Sequence, residues 1–277
     1  MRVEVARYAG VCYGVERALK LAEEAAASGS EVHTLGPLIH NPQAVAALRE
    51  QGVEVASTLD DTPEGTLVIR SHGVAPAIID AARDRGLDVI DATCPHVSKA
   101  HEAASELNRG GYTVVIVGEA DHPEVEGIMA HAGGNVLVVS AASELPDRLP
   151  SRRVGIVVQT TQSLSRLNEV VAAIMQRASE VRVFNTICSA TGKRQQSAEE
   201  LAENVDVMVV VGGHNSGNTT RLAEICLSVN PRVHHVETAD ELDPTWFEGA
   251  ESVGVTAGAS TPDEQMQGVI RAIEAME

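Results

Sequence analysis

Aromatic side chains are nearly missing from this 277-residue chain, which has two Phe, three Tyr and one Trp. Basic residues are also scarce: 21 Lys and Arg stand against 39 Asp and Glu, for a net charge of −18. Gripping a phosphate backbone needs a basic face and stacking single-stranded bases needs aromatic platforms, so together these shortages exclude a nucleic-acid clamp. No apolar run approaches the about 20 residues of a spanning helix, so no membrane segment is expected. Met1 to Val5 contains no basic stretch leading into a long apolar one, and the chain is expected to work in the cytoplasm rather than to be exported by a cleaved signal. Cys-x-x-Cys is absent, so local spacing supports neither a zinc ribbon nor a ferredoxin-type motif. The four cysteines, Cys12, Cys94, Cys188 and Cys226, lie far apart, which argues against a disulfide framework. What is present is 44% hydrophobic and 22% charged residues, the composition of a folded globular protein.

Three of the cysteines mark an internal repeat. A strand-like segment precedes each one: Val3 to Val5, Leu87 to Ile90 and Val181 to Phe184. Helix-like segments follow, through Val15 to Ala22, Val97 to Leu107 and Arg194 to Ala202, with apolar residues at three- and four-residue spacing. Next come strands at Glu31 to Leu35, Tyr112 to Val117 and Val205 to Val211, each ending in a glycine 24 residues after its cysteine. A polar residue falls 28 residues after each cysteine: His40, His122 and Ser216. A third strand then runs into a small-polar loop, at Val68 to Gly73, Val157 to Thr161 and Val255 to Ser260. The fold class expected is α/β, with three α/β units, each built on a small parallel sheet, around a pseudo-three-fold axis. The units are residues 1–93, 94–187 and 188–277. The strand before Cys12 is expected to complete the last unit, which ends in a helix from Asp263 to Met276.

Ligand sites of parallel sheets gather at the carboxyl ends of the strands, where these cysteines and polar loops fall. Each cysteine also opens a helix, whose positive dipole end favours thiolate. Taken singly, a cysteine reads as a small buried hydrophobe. Three equivalent ones read as metal ligands with no fourth partner. Structural zinc fills all four corners, whereas an iron-sulfur cluster so held keeps one iron open. Cys226, inside the amphipathic stretch Leu222 to Leu227, reads as core.

His40, His72 and His122 sit at strand ends and, with Ser216, Asn218 and Ser260, supply neutral or weakly basic donors. Such a set suits an anion cradled at helix starts. His33, His96, His101, His131, His234 and His235 have no supporting constellation in the sequence. Glu124 is the carboxylate of these inner loops best placed to donate a proton, a role that requires exclusion of water.

Eight ordered strings resemble one known family. They are Ala9 to Val15 (AGVCYGV), Gly36 to Pro42 (GPLIHNP), Arg70 to Val74 (RSHGV), Asp91 to Pro95 (DATCP), His122 to Gly127 (HPEVEG), Gln159 to Thr161 (QTT), Thr186 to Cys188 (TIC) and Gly254 to Ser260 (GVTAGAS). The chain thus resembles the 4-hydroxy-3-methylbut-2-enyl diphosphate reductase family, also called IspH/LytB. The resemblance implies a trefoil around a central 4Fe-4S cluster held by Cys12, Cys94 and Cys188, with one open iron. It implies reductive dehydroxylation of an allylic diphosphate to isopentenyl and dimethylallyl diphosphates, the last step of the methylerythritol phosphate pathway. By matching motif, Glu124 is the proton donor and Thr160 belongs to the hydrogen-bond relay at the substrate hydroxyl. His40, His72, His122, Ser216, Asn218 and Ser260 bind substrate, mainly its diphosphate. Where the family commonly reads Ser-Ser-Asn, this chain has Ser216-Gly217-Asn218, so only the backbone N–H of Gly217 can serve there. The implied partners are the small-molecule substrate and an electron donor such as ferredoxin or flavodoxin, with no nucleic acid and no membrane. A non-redox lyase or condensing enzyme of the quinolinate synthase type is the alternative, since it too uses three cysteines and an open iron. The His-Pro-Glu and Ala-Gly-Ala-Ser strings favour the reductase.

Overall fold

Short runs of valine and isoleucine, each stopped by glycine or a polar loop, become strands, and the alanine-rich segments between them become helices. The computed structural model describes residues 1–276. In chain order, β1 (Arg2–Val5), α1 (Tyr13–Ala27), β2 (Val32–Leu35), α2 (Pro42–Glu50), β3 (Val53–Ala56), β4 (Thr66–Ile69), α3 (Pro76–Asp84) and β5 (Asp88–Asp91) come first. Then follow α4 (Pro95–Arg109), β6 (Thr113–Val117), α5 (Pro123–Ala132), β7 (Val136–Val139), β8 (Arg153–Val158), α6 (Leu164–Met175) and β9 (Glu180–Val183). The chain closes with α7 (Ser189–Ala202), β10 (Val207–Val211), α8 (Gly217–Val229), β11 (Val233–Val236), β12 (Ser252–Ala257) and α9 (Asp263–Glu274).

Three four-stranded sheets result, with strand orders β3-β2-β4-β5, β7-β6-β8-β9 and β1-β12-β10-β11. Every pairing is parallel. Helices therefore have to cover both faces, which is why the inner strands β4, β6, β10 and β12 are buried at every residue. As the sequence pattern suggests, β1 joins the last sheet, pairing Arg2 with Ser252 through Val5 with Val255. The edge strands β3, β7 and β11 are additions that the repeat alone does not reveal.

The chain packs as two compact units. One comprises residues 1–16, 39–46 and 189–277, and the other residues 17–38 and 47–188. The first holds the sheet β1-β12-β10-β11. Its core gathers Val207, Val209, Val253 and Val255 under Val269 and Ile273 of α9. The second holds the other two sheets; in one of its cores Leu107 of α4 and Ile128 of α5 cover Val114 and Ile116. No helix among the described residues is long and apolar enough to cross a membrane.

Candidate active site

One hydrogen bond recurs at all three cysteines. The Cys94 N–H donates to the Ser71 carbonyl just past β4 (3.0 Å), Cys188 to Thr160 just past β8 (3.0 Å), and Cys12 to Ala259 just past β12 (3.1 Å). Each cysteine also stands at a helix start. The carbonyls of Cys12 and Cys94 accept the first helical bonds, from Glu16 (2.9 Å) and Ser98 (3.0 Å), and Cys188 directly precedes α7. Thus the repeat written in the spacing is kept at the level of single backbone contacts. Among the described residues none of the three is in a disulfide, and all three are half-buried. Cys226 is outside any disulfide too but fully buried in α8, and burial pushes its thiol up to about 12, so it stays protonated in the core.

The larger unit carries Cys94, Cys188, His72, His122, Glu124 and Thr160. Glu124, in the first turn of α5, is 2% exposed. Its carboxylate accepts two bonds from one residue, the Thr160 N–H on Oε1 (2.6 Å) and the Thr160 hydroxyl on Oε2 (2.8 Å). Burial raises its pKa to about 7 and outweighs the opposing pull of these two bonds. Near neutral pH the group is therefore poised between acid and carboxylate. When Oε2 carries the proton, Thr160 Oγ1 can accept it and pass its own hydrogen onward, which makes the two residues a proton relay.

His122 caps α5: its Nδ1 accepts the Glu124 N–H at 3.1 Å, so Nε2 carries the ring proton and is a donor. Burial, reinforced by the positive charge of Arg70, lowers its pKa to about 4 and keeps it neutral at pH 7. His72 meets it edge to face, with ring centroids 5.6 Å apart.

The smaller unit carries Cys12, His40, Ser216, Gly217, Asn218 and Ser260. Ser216 caps α8, its Oγ accepting the Thr219 N–H at 3.4 Å, and Gly217 is the first helical residue. Ser260 Oγ donates to the His40 carbonyl at 3.0 Å, joining those two loops. Asn218 is 6% exposed, yet neither its Oδ1 nor its Nδ2 has a hydrogen-bond partner among the described residues. A buried amide with both ends unsatisfied, at a helix N-terminus, is prepared for a polar ligand.

The sequence pattern does not single out three further residues. Arg194 of α7 donates to the Gly10 carbonyl at 2.7 Å and ties down the loop before Cys12. Arg70 is mostly buried and pairs with Glu126 at 3.8 Å beside His122. His101, which reads as an ordinary helix residue, lies buried between the loop of His72 and the helix of Glu124 and stacks on His131 at 4.0 Å. A Cβ at Gly73 would stand 2.6 Å from His101 Cε1, and one at Gly127 3.0 Å from His101 Nε2. Gly73 also has φ +72°, so Gly73→Ala meets strain and a clash together. We expect that variant to lose about 2 kcal/mol of stability, read by denaturant unfolding. His214, for its part, is engaged by Glu237 and Glu241.

Among the described residues, no three His, Cys, Asp or Glu side chains surround a point where a single metal ion would sit. Ligands of an iron-sulfur cluster bind different irons and need not meet at one point. The donor chemistry fits such a group: three half-buried cysteines outside any disulfide, each presented by its backbone in the same way.

An α/β fold of three parallel sheets, with a cysteine at the carboxyl end of each, a buried carboxyl bonded to a threonine hydroxyl and a helix start holding a buried, unsatisfied amide, is the equipment of an enzyme able to do acid-assisted chemistry. The chain belongs to the LytB protein family, whose model matches residues 3–274. It is 53% identical over 262 residues to 4-hydroxy-3-methylbut-2-enyl diphosphate reductase of Pelobacter propionicus, covering 95% of this chain and 94% of that protein. A solved structure of (E)-4-hydroxy-3-methyl-but-2-enyl diphosphate reductase, described as the terminal enzyme of the non-mevalonate pathway, is 48% identical with a TM-score of 0.73, over 99% of this chain and all of the other. The corresponding reductase structure from Plasmodium falciparum is 25% identical with a TM-score of 0.91, over 98% of this chain and 87% of the other.

Proposed function

We propose that this chain is a 4-hydroxy-3-methylbut-2-enyl diphosphate reductase, an oxidoreductase of the cytoplasm that closes the non-mevalonate route to isoprenoids. The substrate takes up two electrons and two protons, loses its allylic hydroxyl as water, and leaves as isopentenyl or dimethylallyl diphosphate. The observation that carries this reading is the buried Glu124 carboxyl, with its pKa near 7 and its Thr160 relay, in a chain of this family. Hydroxide is a poor leaving group, so its departure needs a proton at the oxygen, and Glu124 supplies it through Thr160.

Cys12, Cys94 and Cys188 would hold a 4Fe-4S cluster, which when bound supplies electrons one at a time and Lewis acidity at its open iron. His40, His72, His122, Ser216, Asn218, Ser260 and the Gly217 N–H bind the diphosphate. These donors carry the affinity locally, because a net charge of −18 repels an anion at long range. Residues 1–93, 94–187 and 188–277 are proposed as the three repeats that bring these loops into one enzyme.

Asn218→Ala is expected to raise the Michaelis constant about tenfold or more while leaving the cluster absorbance unchanged, since hydrogen bonds to charged groups are worth about 1.5–3 kcal/mol. An unchanged Michaelis constant would remove Asn218 from the diphosphate site. The reading as a whole is tested by reconstituting the protein anaerobically with iron and sulfide, supplying reductant and substrate, and chromatographing the products. Two five-carbon diphosphates are expected; recovery of unaltered substrate from a cluster-loaded sample contradicts it.

A further inference from the structure

Resting on that reading, we infer that the surface formed by Arg7, Tyr8, Val11, Tyr13 and Lys193, around Cys12, is the docking site for a small acidic electron-carrier protein of the ferredoxin class. All five residues belong to the smaller unit.

The first observation is the placement of the aromatics. Of six in the chain, two are exposed, Tyr8 at 39% and Tyr13 at 67%, and they bracket Cys12 in sequence. Val11, immediately before the cysteine, is exposed as well, at 37%. The other four aromatics are half-buried or buried, so the two exposed rings, with Val11 between them, fall within six residues at the start of α1 and mark an interaction surface.

Charge is the second and independent observation. The Arg7 guanidinium lies over the Tyr8 ring at 5.3 Å from its centroid, and the Lys193 ammonium over the same ring at 5.8 Å. Elsewhere in this unit Arg2 and Arg221 face carboxylates, while Arg194 and Arg232 donate to backbone carbonyls. Arg7 and Lys193 have no carboxylate partner among the described residues, and Glu16 is the one acidic residue between Ala6 and Glu16. A local positive patch is thus kept open on a chain of net charge −18. Two like charges at one ring are matched by a partner that brings negative charge, and aromatic and Arg contacts supply the centre of such an interface.

The reaction explains why a carrier should meet the protein beside a cluster ligand. Each docking event would oxidise one carrier by one electron, so two events supply the pair that, with two protons, is consumed as water leaves. A patch of this size suits a brief encounter, steered by charge and weakened by salt.

The test compares the cluster-loaded protein with its Arg7→Glu/Lys193→Glu and Arg7→Gln/Lys193→Gln variants. Binding of an acidic 2Fe-2S ferredoxin is measured by calorimetry at several salt concentrations. Turnover is measured with that reduced ferredoxin and, separately, with reduced methyl viologen. The charge reversal is expected to weaken ferredoxin binding and raise its Michaelis constant about tenfold or more at low salt, with the Gln pair intermediate. The dependence on salt should flatten, and turnover driven by methyl viologen should stay the same. Unchanged ferredoxin affinity, an equal loss with methyl viologen, or a change in self-association in place of carrier binding would each overturn the proposal. Failure of the unaltered protein to turn over with methyl viologen would contradict the reductase reading instead, and the calorimetric result would still decide the docking site.

Discussion

Glu124→Gln is expected to cut turnover by about 10²–10⁴-fold while the iron content and visible absorbance remain those of the parent. Glutamine fills the same space and can still meet Thr160, but it has no proton to give. The parent should lose turnover as pH rises through about 7, where the buried carboxyl ionises, and the residual activity of the variant should lack that limb. Linkage gives a second readout. The folded pKa of Glu124 lies above its ordinary value of 4.5, so between that value and about 7 the folded state holds a proton that the unfolded chain has lost. Stability due to this group is therefore fully present below 4.5 and declines as pH rises through the window. Relative to the parent, Glu124→Gln should gain stability between about pH 5 and pH 8, by at most about 3 kcal/mol. Near-normal turnover in this variant would take Glu124 out of the proton path.

Removal of any one of Cys12, Cys94 or Cys188 should have the other large effect. An Ala at each position would leave two ligands where the proposed cluster takes three, and turnover should fall by at least about 100-fold, together with loss of iron and of visible absorbance. Because the three share one backbone arrangement, the three variants should behave alike. Cys226→Ala is the control: its sulfur lies in the core against the Ala198 carbonyl, and iron content should not change. Iron loss in that variant, or full iron in any of the other three, would reassign the ligands.

How much of this is legible in the sequence follows from where the information is stored. Inner strands such as Thr113–Val117 and Val207–Val211 are buried on both faces, so each is an unbroken apolar run and is easily read. The edge strands β3 and β11 are four residues of mixed character, Val-Glu-Val-Ala and Val-His-His-Val, and nothing local distinguishes them from loop. The glycine at 24 residues past each cysteine has a packing reason: a Cβ would lie 2.9 Å from Arg70 at Gly36, 2.8 Å from Gln159 at Gly118 and 2.5 Å from Thr261 at Gly212. Each of those partners comes from the loop after a strand hydrogen-bonded to the glycine's own strand, β4 beside β2, β8 beside β6 and β12 beside β10. The spacing is visible in the chain because it recurs, and its cause becomes visible only when the loops meet.

The same holds at the site. The polar strand-end loops can be picked out one by one, but the contact of Glu124 with Thr160, 36 residues away, has no local mark. His101 shows the limit most clearly. Its helix reads as an ordinary amphipathic one, and its importance comes from Gly73 and Gly127, which leave room for its ring from two distant segments. Tyr8 and Tyr13 are visible as residues in the sequence, while their exposure is not.

Anaerobic reoxidation of reduced methyl viologen by the iron-sulfur-reconstituted protein, with and without 4-hydroxy-3-methylbut-2-enyl diphosphate, is the most direct trial of the reductase reading. Reoxidation that requires the substrate, and that disappears with Cys12, Cys94 or Cys188, is the result expected. A spectroscopically intact cluster that leaves the dye reduced in the presence of substrate would contradict it.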